Sequence, residues 1–288
     1  MTLFRAVAAL LPPVLAASLV QAVEIPEGPS SFQWEDRNTS RPMTVWTYRP
    51  KALAPGAKIV FVLHGMNRDG ERYRDQWQPH AESGAFLLVA PEFDDRSFSE
   101  NAYQRGNVAD ANGNAVEKSR WTFSTIERLF DVVRTAARLR ATRYSLYGHS
   151  AGAQFVHRFV LFMPDARYER AIAANAGWYT MPTFEASFPY GLEGAPANET
   201  GLKQAMGRDF VVMLGEDDID DSDSGLRNTE RAQSQGRTRL ERGETFYRIA
   251  LESARKLGVG LRWRRILVRD AGHSNREMAE AAAALLVP

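Results

Sequence analysis

The sequence RYSLYGHSAGAQFVHRF, residues 143–159, joins a short apolar run typical of a buried strand to a run typical of a helix. Between them, residues 148–152 read Gly-His-Ser-Ala-Gly and fit the pattern G-x-S-x-G. This pattern is typical of a sharp strand-to-helix turn that exposes a serine side chain, and its glycines relieve steric conflict where the backbone crosses closely. The pattern and its position together predict that Ser150 is a nucleophile.

Strand-like and helix-like segments alternate along the rest of the chain. Apolar residues at helical spacing occur at positions 126, 130, 133 and 137, and again at 155, 159 and 162. Strands separated by helices need crossover connections, which favours an α/β fold with a mostly parallel sheet. The strand-like segments lie at 43–50, 58–64, 85–91, 144–147, 171–176, 210–214 and 262–268.

Composition and charge narrow the class of protein. The chain has 288 residues, 44% of them hydrophobic and 25% charged, which is ordinary for a globular protein and too polar for a membrane bundle. An α/β sheet of this length commonly forms one domain. The formal net charge of +1 predicts no nucleic-acid partner and no affinity for an anionic membrane. The sequence has no cysteine, which excludes disulfides, thiolate metal sites and a cysteine nucleophile.

The first 22 residues are typical of a signal peptide. Arg5 is the only charged residue among them, and the apolar segment that follows is short and interrupted by prolines at 12–13. It is too short for a membrane-spanning helix, so we expect no stable membrane insertion. We predict cleavage after Ala22, export to the periplasm or the medium, and a single domain over residues 23–288.

A serine nucleophile needs a base, and the sequence offers five histidines. His273, within RDAGHSNREM, follows the last predicted strand and precedes a helix. This position at the carboxyl end of a strand predicts that His273 is the general base for Ser150. We expect His149 to point away from the site, because it lies inside the turn. Of the other three, His64 ends a buried strand, His80 lies in a helical segment and His157 lies in the helix after the turn.

The base in turn needs an acid to orient it. The segment FVVMLGEDDIDDSDSG, residues 210–225, follows the penultimate strand pattern with a surplus of carboxylates. Position alone does not choose among them. The candidates are Glu216, Asp217, Asp218, Asp220, Asp221 and Asp223.

The sequence resembles the α/β-hydrolase superfamily, and within it the exported esterase and polyhydroxyalkanoate-depolymerase-like branch. The nucleophile, the acidic segment and the histidine follow one another in the chain order of that superfamily. The resemblance implies a mostly parallel central sheet of about eight strands with helices on both faces. Only about thirty residues separate the segments at 171–176 and 210–214, which leaves room for a small lid or none. The matching motifs are HGMNRDG at 64–70, GHSAG at 148–152, NAGWYTMP at 175–182, LGEDD at 214–218 and GHS at 272–274.

The resemblance also implies roles for individual residues. The acid commonly falls three residues after the glycine that ends its strand, which points to Asp218, with Asp217 as a competitor. The loop after the pair at 64–65 places one backbone N–H toward the reacting carbonyl. Met66 and Ala151 are therefore the implied oxyanion-hole donors.

Two further features have open interpretations. Trp178 and Tyr179 follow the strand next to the Ser150 turn, where they form either an apolar wall for an acyl or alkyl group or core beneath a loop. The acidic run 216–223 is a calcium-loop candidate, but it lacks a complete EF-hand pattern. We therefore expect no metal and instead ion pairs between this run and the arginines at 227, 231, 237 and 239.

These features predict a cofactor-independent serine hydrolase that cleaves carboxylic esters through an acyl-enzyme. The substrate is a small-molecule or polymeric ester, with hydroxyalkanoate-type esters among the candidates. Two alternatives stay open. A serine peptidase or amidase acting on small peptides uses the same triad, and a non-catalytic binding protein can share the scaffold.

Overall fold

A central eight-stranded sheet organises the protein, and the computed structural model describes it over residues 23–286. The predicted signal peptide at 1–22 lies outside the described residues. The sheet order is first, second, fourth, third, fifth, sixth, seventh and eighth strand. In chain order the strands are β1 (Gly28–Asp36), β2 (Arg41–Arg49), β3 (Ile59–Leu63), β4 (Leu87–Glu92), β5 (Tyr144–His149), β6 (Tyr168–Ala174), β7 (Phe210–Gly215) and β8 (Arg264–Val268).

The sheet is parallel from β4 to β8, and the hairpin of β1 and β2 adds two antiparallel strands at one edge. This arrangement confirms the predicted α/β fold with a mostly parallel sheet of eight strands. Because parallel strands place their carboxyl ends at one edge, the segments after β3, β5, β7 and β8 meet there.

Helices cover both faces of the sheet, and a 3₁₀ turn at Lys118–Arg120 precedes α3. Helices α3, α4, α5 and α7 contribute to the larger apolar core on one face, and α1 and α8 to a smaller core on the other. The helices are α1 (Gly70–Gly84), α2 (Glu100–Tyr103), α3 (Thr122–Ala136), α4 (Ala151–Phe162), α5 (Glu199–Met206), α6 (Glu230–Gln233), α7 (Arg239–Leu257) and α8 (Asn275–Leu286).

Strand β3 shows why several strands read as unbroken apolar runs. All its residues are fully buried, with Phe61 and Leu63 in the larger core and Val60 and Val62 in the smaller one. A strand covered on both faces needs apolar side chains at every position rather than at alternate ones.

The long connections at 93–117 and 175–209 contain only short helices. The connection from β6 to β7 includes the eight-residue helix α5 and forms no separate cap domain. The expectation of a small lid or none is thereby confirmed. Within residues 23–286, no helix is both long enough and apolar enough to cross a membrane.

Candidate active site

Ser150 occupies the sharp turn between β5 and α4, with φ 57° and ψ −112°. Positive φ is uncommon for a residue other than glycine, and such strained residues cluster at functional sites. A Cβ atom on Gly148 would lie 2.2 Å from the carbonyl oxygen of Gly152, and one on Gly152 would lie 2.2 Å from that of Leu63. Backbone segments therefore cross here too closely for any side chain at these two positions. The turn exposes the serine hydroxyl at the carboxyl edge of the sheet.

His273 connects Ser150 to Asp218. It lies on the loop between β8 and α8, with its Nδ1 2.8 Å from Asp218 Oδ2 and its Nε2 3.1 Å from Ser150 Oγ. A carboxylate only accepts hydrogen bonds, so Nδ1 carries the proton and donates it to Asp218. The lone pair of Nε2 is then free to accept the hydroxyl proton of Ser150.

Of the two neighbouring acid candidates, the structure brings Asp218 to His273. Asp218 follows β7 and is only 2% exposed. Asp217 is exposed, and its backbone N–H donates to the carbonyl of Ala271. The turn after β7 thus points one carboxylate inward and the other toward solvent.

Arg239, the first residue of α7, contacts the second oxygen of Asp218. Its Nη1 lies 3.5 Å from Asp218 Oδ1, and its Nη2 donates to Asp223 Oδ2 at 2.6 Å. The Arg239 side chain is 3% exposed, so its charge is nearly buried between two carboxylates. The sequence pattern predicts pairing of this arginine with the acidic run but not its contact with the Asp218 carboxylate.

The acidic run 216–223 pairs with two of the four expected arginines, Arg239 with Asp218 and Asp223, and Arg237 with Asp221. Arg227 pairs instead with Glu100 of α2, and Arg231 donates to a backbone carbonyl. Among the described residues 23–286, no three His, Asp or Glu side chains converge so as to hold a metal ion.

His64 organises the loop after β3. The backbone N–H of Phe93 donates to His64 Nε2 at 2.9 Å, so Nδ1 carries the proton and donates to the Gly65 carbonyl, also at 2.9 Å. Burial lowers the pKa of His64 to about 4, which keeps the ring neutral. In a trans peptide the N–H points opposite to the C=O, so the Met66 N–H points away from His64.

The implied oxyanion-hole residues both lie next to Ser150. Ala151 is the first residue of α4, where backbone N–H groups have no partner within the helix. Met66 follows Gly65, and a Cβ atom added to Gly65 would lie 3.7 Å from the Ser150 Cβ. Gly65 and Met66 both line the cavity at Ser150. The Met66 side chain is 55% exposed, so its own packing does not explain its place.

His149 differs from the expectation that it points away from the site. Its ring centroid lies 4.7 Å from that of His273, and its Nδ1 is 2.9 Å from the hydroxyl of Tyr73. His149 and Tyr147 share one face of β5, since alternate residues of a strand point the same way. The helices α1 and α8 cover that face, and the loop before α8 carries His273 onto it. The expectation about His149 is therefore wrong.

Comparison with known proteins places this geometry in a family. Poly(aspartic acid) hydrolase-1 from Sphingomonas sp. KT-1 is 39% identical to this chain, with a TM-score of 0.88, over 91% of this chain and 99% of that one. The chain belongs to the α/β-hydrolase superfamily. LpqC, a poly(3-hydroxybutyrate) depolymerase from Bordetella parapertussis, is 34% identical, with a TM-score of 0.86, over 90% of this chain and 89% of that one.

More distant hydrolases share the fold. The S-formylglutathione hydrolase FrmB from Staphylococcus aureus is 14% identical, with a TM-score of 0.60, over 91% of this chain and 99% of that chain. No protein-family model matches the sequence, and no curated protein matches it. The resemblance to the superfamily is confirmed, and the protein is a hydrolase.

In this α/β-hydrolase, Ser150 opens onto a cavity of about 630 Å³. Polar and charged side chains from four segments of the chain converge on it, and its apolar lining is sparse. The side chains that line it include Asn67, Asp69, Arg72, Gln76, Asp223, Arg239, Asn275 and Arg276.

Trp178 and Tyr179 do not line this cavity. Trp178 is 1% exposed and lies under the guanidinium of Arg158, at 4.1 Å from its ring centroid. Tyr179 is fully buried and stacks on Phe246 of α7, with ring centroids 4.6 Å apart. Both side chains pack the loop after β6 against α4 and α7, which agrees with the second of the two open interpretations, core beneath a loop.

A second groove of about 700 Å³ lies between the β1–β2 hairpin and α3 of this hydrolase. It is larger than the cavity at Ser150 but contains neither Ser150 nor His273. Its buried carboxylate, Asp36, already accepts hydrogen bonds from Arg128 at 2.7 Å and Thr125 at 2.6 Å. The groove therefore offers no comparable reactive pair.

Proposed function

We propose that this hydrolase is a serine esterase that cleaves carboxylic esters through a covalent acyl-enzyme. The continuous contact from Ser150 to His273 to Asp218, at 3.1 Å and 2.8 Å, carries the proposal. A serine hydroxyl is a poor nucleophile at neutral pH unless a base accepts its proton. The neutral Nε2 of His273 is placed to do so.

In the first half of the reaction, Ser150 Oγ attacks the ester carbonyl carbon as its proton moves to His273 Nε2. The carbonyl oxygen becomes an oxyanion, and the N–H groups of Met66 and Ala151 donate to it. Loss of one such donor typically costs about 3 kcal/mol of barrier. Collapse of the tetrahedral intermediate breaks the bond to the leaving alcohol, which takes the proton from His273.

In the second half, water replaces the alcohol. His273 accepts a proton from the water as it attacks the acyl carbon, and then returns that proton to Ser150 when the acid leaves. Asp218 orients the imidazole and stabilises the imidazolium that forms in each half. Every step uses side chains and backbone groups of this chain.

The polar cavity supports a short or polar acyl unit rather than a long alkyl chain. A long acyl chain needs an apolar surface to leave water, and the cavity lining offers little of it. The similar LpqC is described as a poly(3-hydroxybutyrate) depolymerase, whose polyester has a short acyl unit. We therefore propose short-chain esters and hydroxyalkanoate oligomers as the substrate class.

Hydrolysis of amide bonds in an anionic polymer is a second candidate. The guanidinium groups of Arg72 and Arg276 line the cavity, and the similar Sphingomonas protein is described as a poly(aspartic acid) hydrolase. Guanidinium groups match the geometry and charge of carboxylates. The same triad cleaves amides when His273 protonates the leaving amine.

A substrate panel separates these candidates. It comprises 4-nitrophenyl esters of acetate, butyrate and octanoate, a 3-hydroxybutyrate trimer, poly(aspartic acid) and aminoacyl amides, each with Ser150→Ala as control. The first proposal predicts turnover of the short esters and the trimer by the wild type alone. Turnover restricted to poly(aspartic acid) would favour the second candidate. No turnover and no reaction with a fluorophosphonate would favour a binding protein on this scaffold.

Export to the periplasm or the medium is also a proposal, supported by the composition of residues 1–22 alone.

A further inference from the structure

Tyr73 of α1 and His149 of β5 form a hydrogen-bonded pair against the ring of His273. The Tyr73 hydroxyl is 2.9 Å from His149 Nδ1, and both residues are buried. The His149 and His273 ring centroids are 4.7 Å apart, and their planes are inclined by 38°. The reaction proposed above assigns no step to either Tyr73 or His149.

The two hydrogen bonds of His273 fix its nitrogens better than its ring plane. Asp218 and Ser150 hold Nδ1 and Nε2, but small combined changes of the two side-chain torsions can still roll the ring plane while the nitrogens move little. Such a roll only bends the two bonds away from their preferred direction. The His273 side chain is 27% exposed, so its open side offers little resistance. A ring packed against its covered side opposes the roll.

His149 suits this contact because it is buried and held in place. Burial lowers its pKa well below the usual value, and the nearby charges of His273, Arg239 and Arg72 act in the same direction. The ring is therefore neutral and does not repel the imidazolium that forms on His273. Its orientation is set by the Tyr73 hydroxyl, which is its hydrogen-bond partner.

The same hydroxyl also contacts the loop that carries Met66. A Cβ atom added to Gly65 would lie only 3.0 Å from this oxygen, so the hydroxyl lies close to the Gly65 backbone. Tyr73 thus touches the loop of the proposed oxyanion hole on one side and His149 on the other. One oxygen atom on α1 is in contact with both parts of the site.

We propose that Tyr73 and His149 are positioning residues that hold the imidazole of His273 in the orientation needed to accept the Ser150 proton. This inference rests on the proposed function, since it concerns the general base of that reaction. Tyr73 acts through His149, and His149 acts through its ring contact.

Tyr73→Phe tests the proposal, with Tyr48→Phe as the matched control. Tyr48 also donates its hydroxyl to a residue of α1, Glu82, at 2.7 Å, but does not line the cavity. Measured on 4-nitrophenyl butyrate, Tyr73→Phe should lower kcat on the order of tenfold, with KM changed less than about twofold, as misplacement of a catalytic group does. The control should change neither.

A proton NMR measurement adds a readout that packing alone does not move. The low-field resonance of the His273 Nδ1 proton should shift or broaden in Tyr73→Phe and stay unchanged in Tyr48→Phe. At position 149, His149→Phe keeps a ring against His273 and should retain more kcat than His149→Ala.

Three results would overturn the inference. Unchanged kcat and an unchanged resonance in Tyr73→Phe, with Ser150→Ala inactive, would assign the pair to packing alone. Equal kcat for His149→Phe and His149→Ala would exclude the ring contact. Turnover by Ser150→Ala would overturn the proposed function itself, and this inference with it.

Discussion

Replacing Asp218 by asparagine tests the triad through a property specific to this structure, the arginine on its far side. The carboxylate accepts from His273 at Oδ2 and from Arg239 at Oδ1. Asparagine has one oxygen and one NH₂ group, and only the oxygen can face the guanidinium without placing two donors together. The NH₂ group then faces His273 and donates to Nδ1.

This arrangement forces the wrong tautomer on His273. With Nδ1 accepting, the ring proton moves to Nε2, which can no longer take the proton of Ser150. Loss of the correct tautomer lowers kcat by up to about 10⁴, or about 5 kcal/mol of barrier. The nearly buried position of Asp218 leaves little room for water to replace the lost acceptor.

Asp217→Asn and Asp220→Asn are the matched controls, because each removes one negative charge from the same loop. Asp217 is exposed, and the Asp220 carboxylate accepts from the hydroxyl of Ser222 rather than from His273. We expect each control to lose less than tenfold in kcat, measured on a short ester at about pH 8, above the range in which histidine titrates. A crippling effect of Asp217→Asn would reassign the acid. Losses below tenfold in all three variants would refute the triad.

Three other predictions concern stability, the turn and processing. The free energy of unfolding should fall as the pH drops from about 6.5 toward 4, because His64 becomes protonated in the unfolded chain but not in the folded chain, where its pKa is lowered to about 4. His64 alone should lower the free energy of unfolding by about 2 kcal/mol between pH 7 and pH 5. Equal urea midpoints at those two pH values would contradict this prediction. Gly152→Val should abolish turnover and lower the melting temperature, since its Cβ would overlap the Leu63 carbonyl; a wild-type melting curve would contradict the close crossing. The intact mass of the exported protein should equal that of a chain that starts at Val23. A mass that includes residues 1–22 would exclude cleavage after Ala22.

The sequence pattern predicts every strand except β1, which lies at one edge of the sheet. Strands β3 and β7 are buried along their whole length, so their apolar runs are unbroken and easily read. The edge strand β1 does not appear among the predicted strands. Its partly buried side carries Ser30 beside Phe32 and Trp34, so its alternation is only half apolar. Hydrogen bonding to β2 in the hairpin stabilises β1 as a strand, although its local apolar pattern is weak.

Some features of the site can likewise be predicted from local sequence, whereas others depend on tertiary contacts. The Ser150 turn can be predicted because the crossing of backbones demands glycine at fixed spacing. The choice between adjacent carboxylates at 217 and 218 depends on the direction of the turn after β7, which the spacing does not encode. The contacts of Arg239 with Asp218 and of Tyr73 with His149 join residues far apart in sequence. Packing of α7 and α1 on the sheet creates them.

The most direct test of the account is the site of covalent reaction with a fluorophosphonate. After labelling and tryptic digestion, the mass of one adduct should appear on the peptide 144–158, with fragment ions that assign it to Ser150. Ser150→Ala should fold, take up no label and retain no more than a few per cent of wild-type turnover on the same ester. An adduct on another residue, or labelling and turnover that persist in Ser150→Ala, would contradict the claim that Ser150 is the nucleophile.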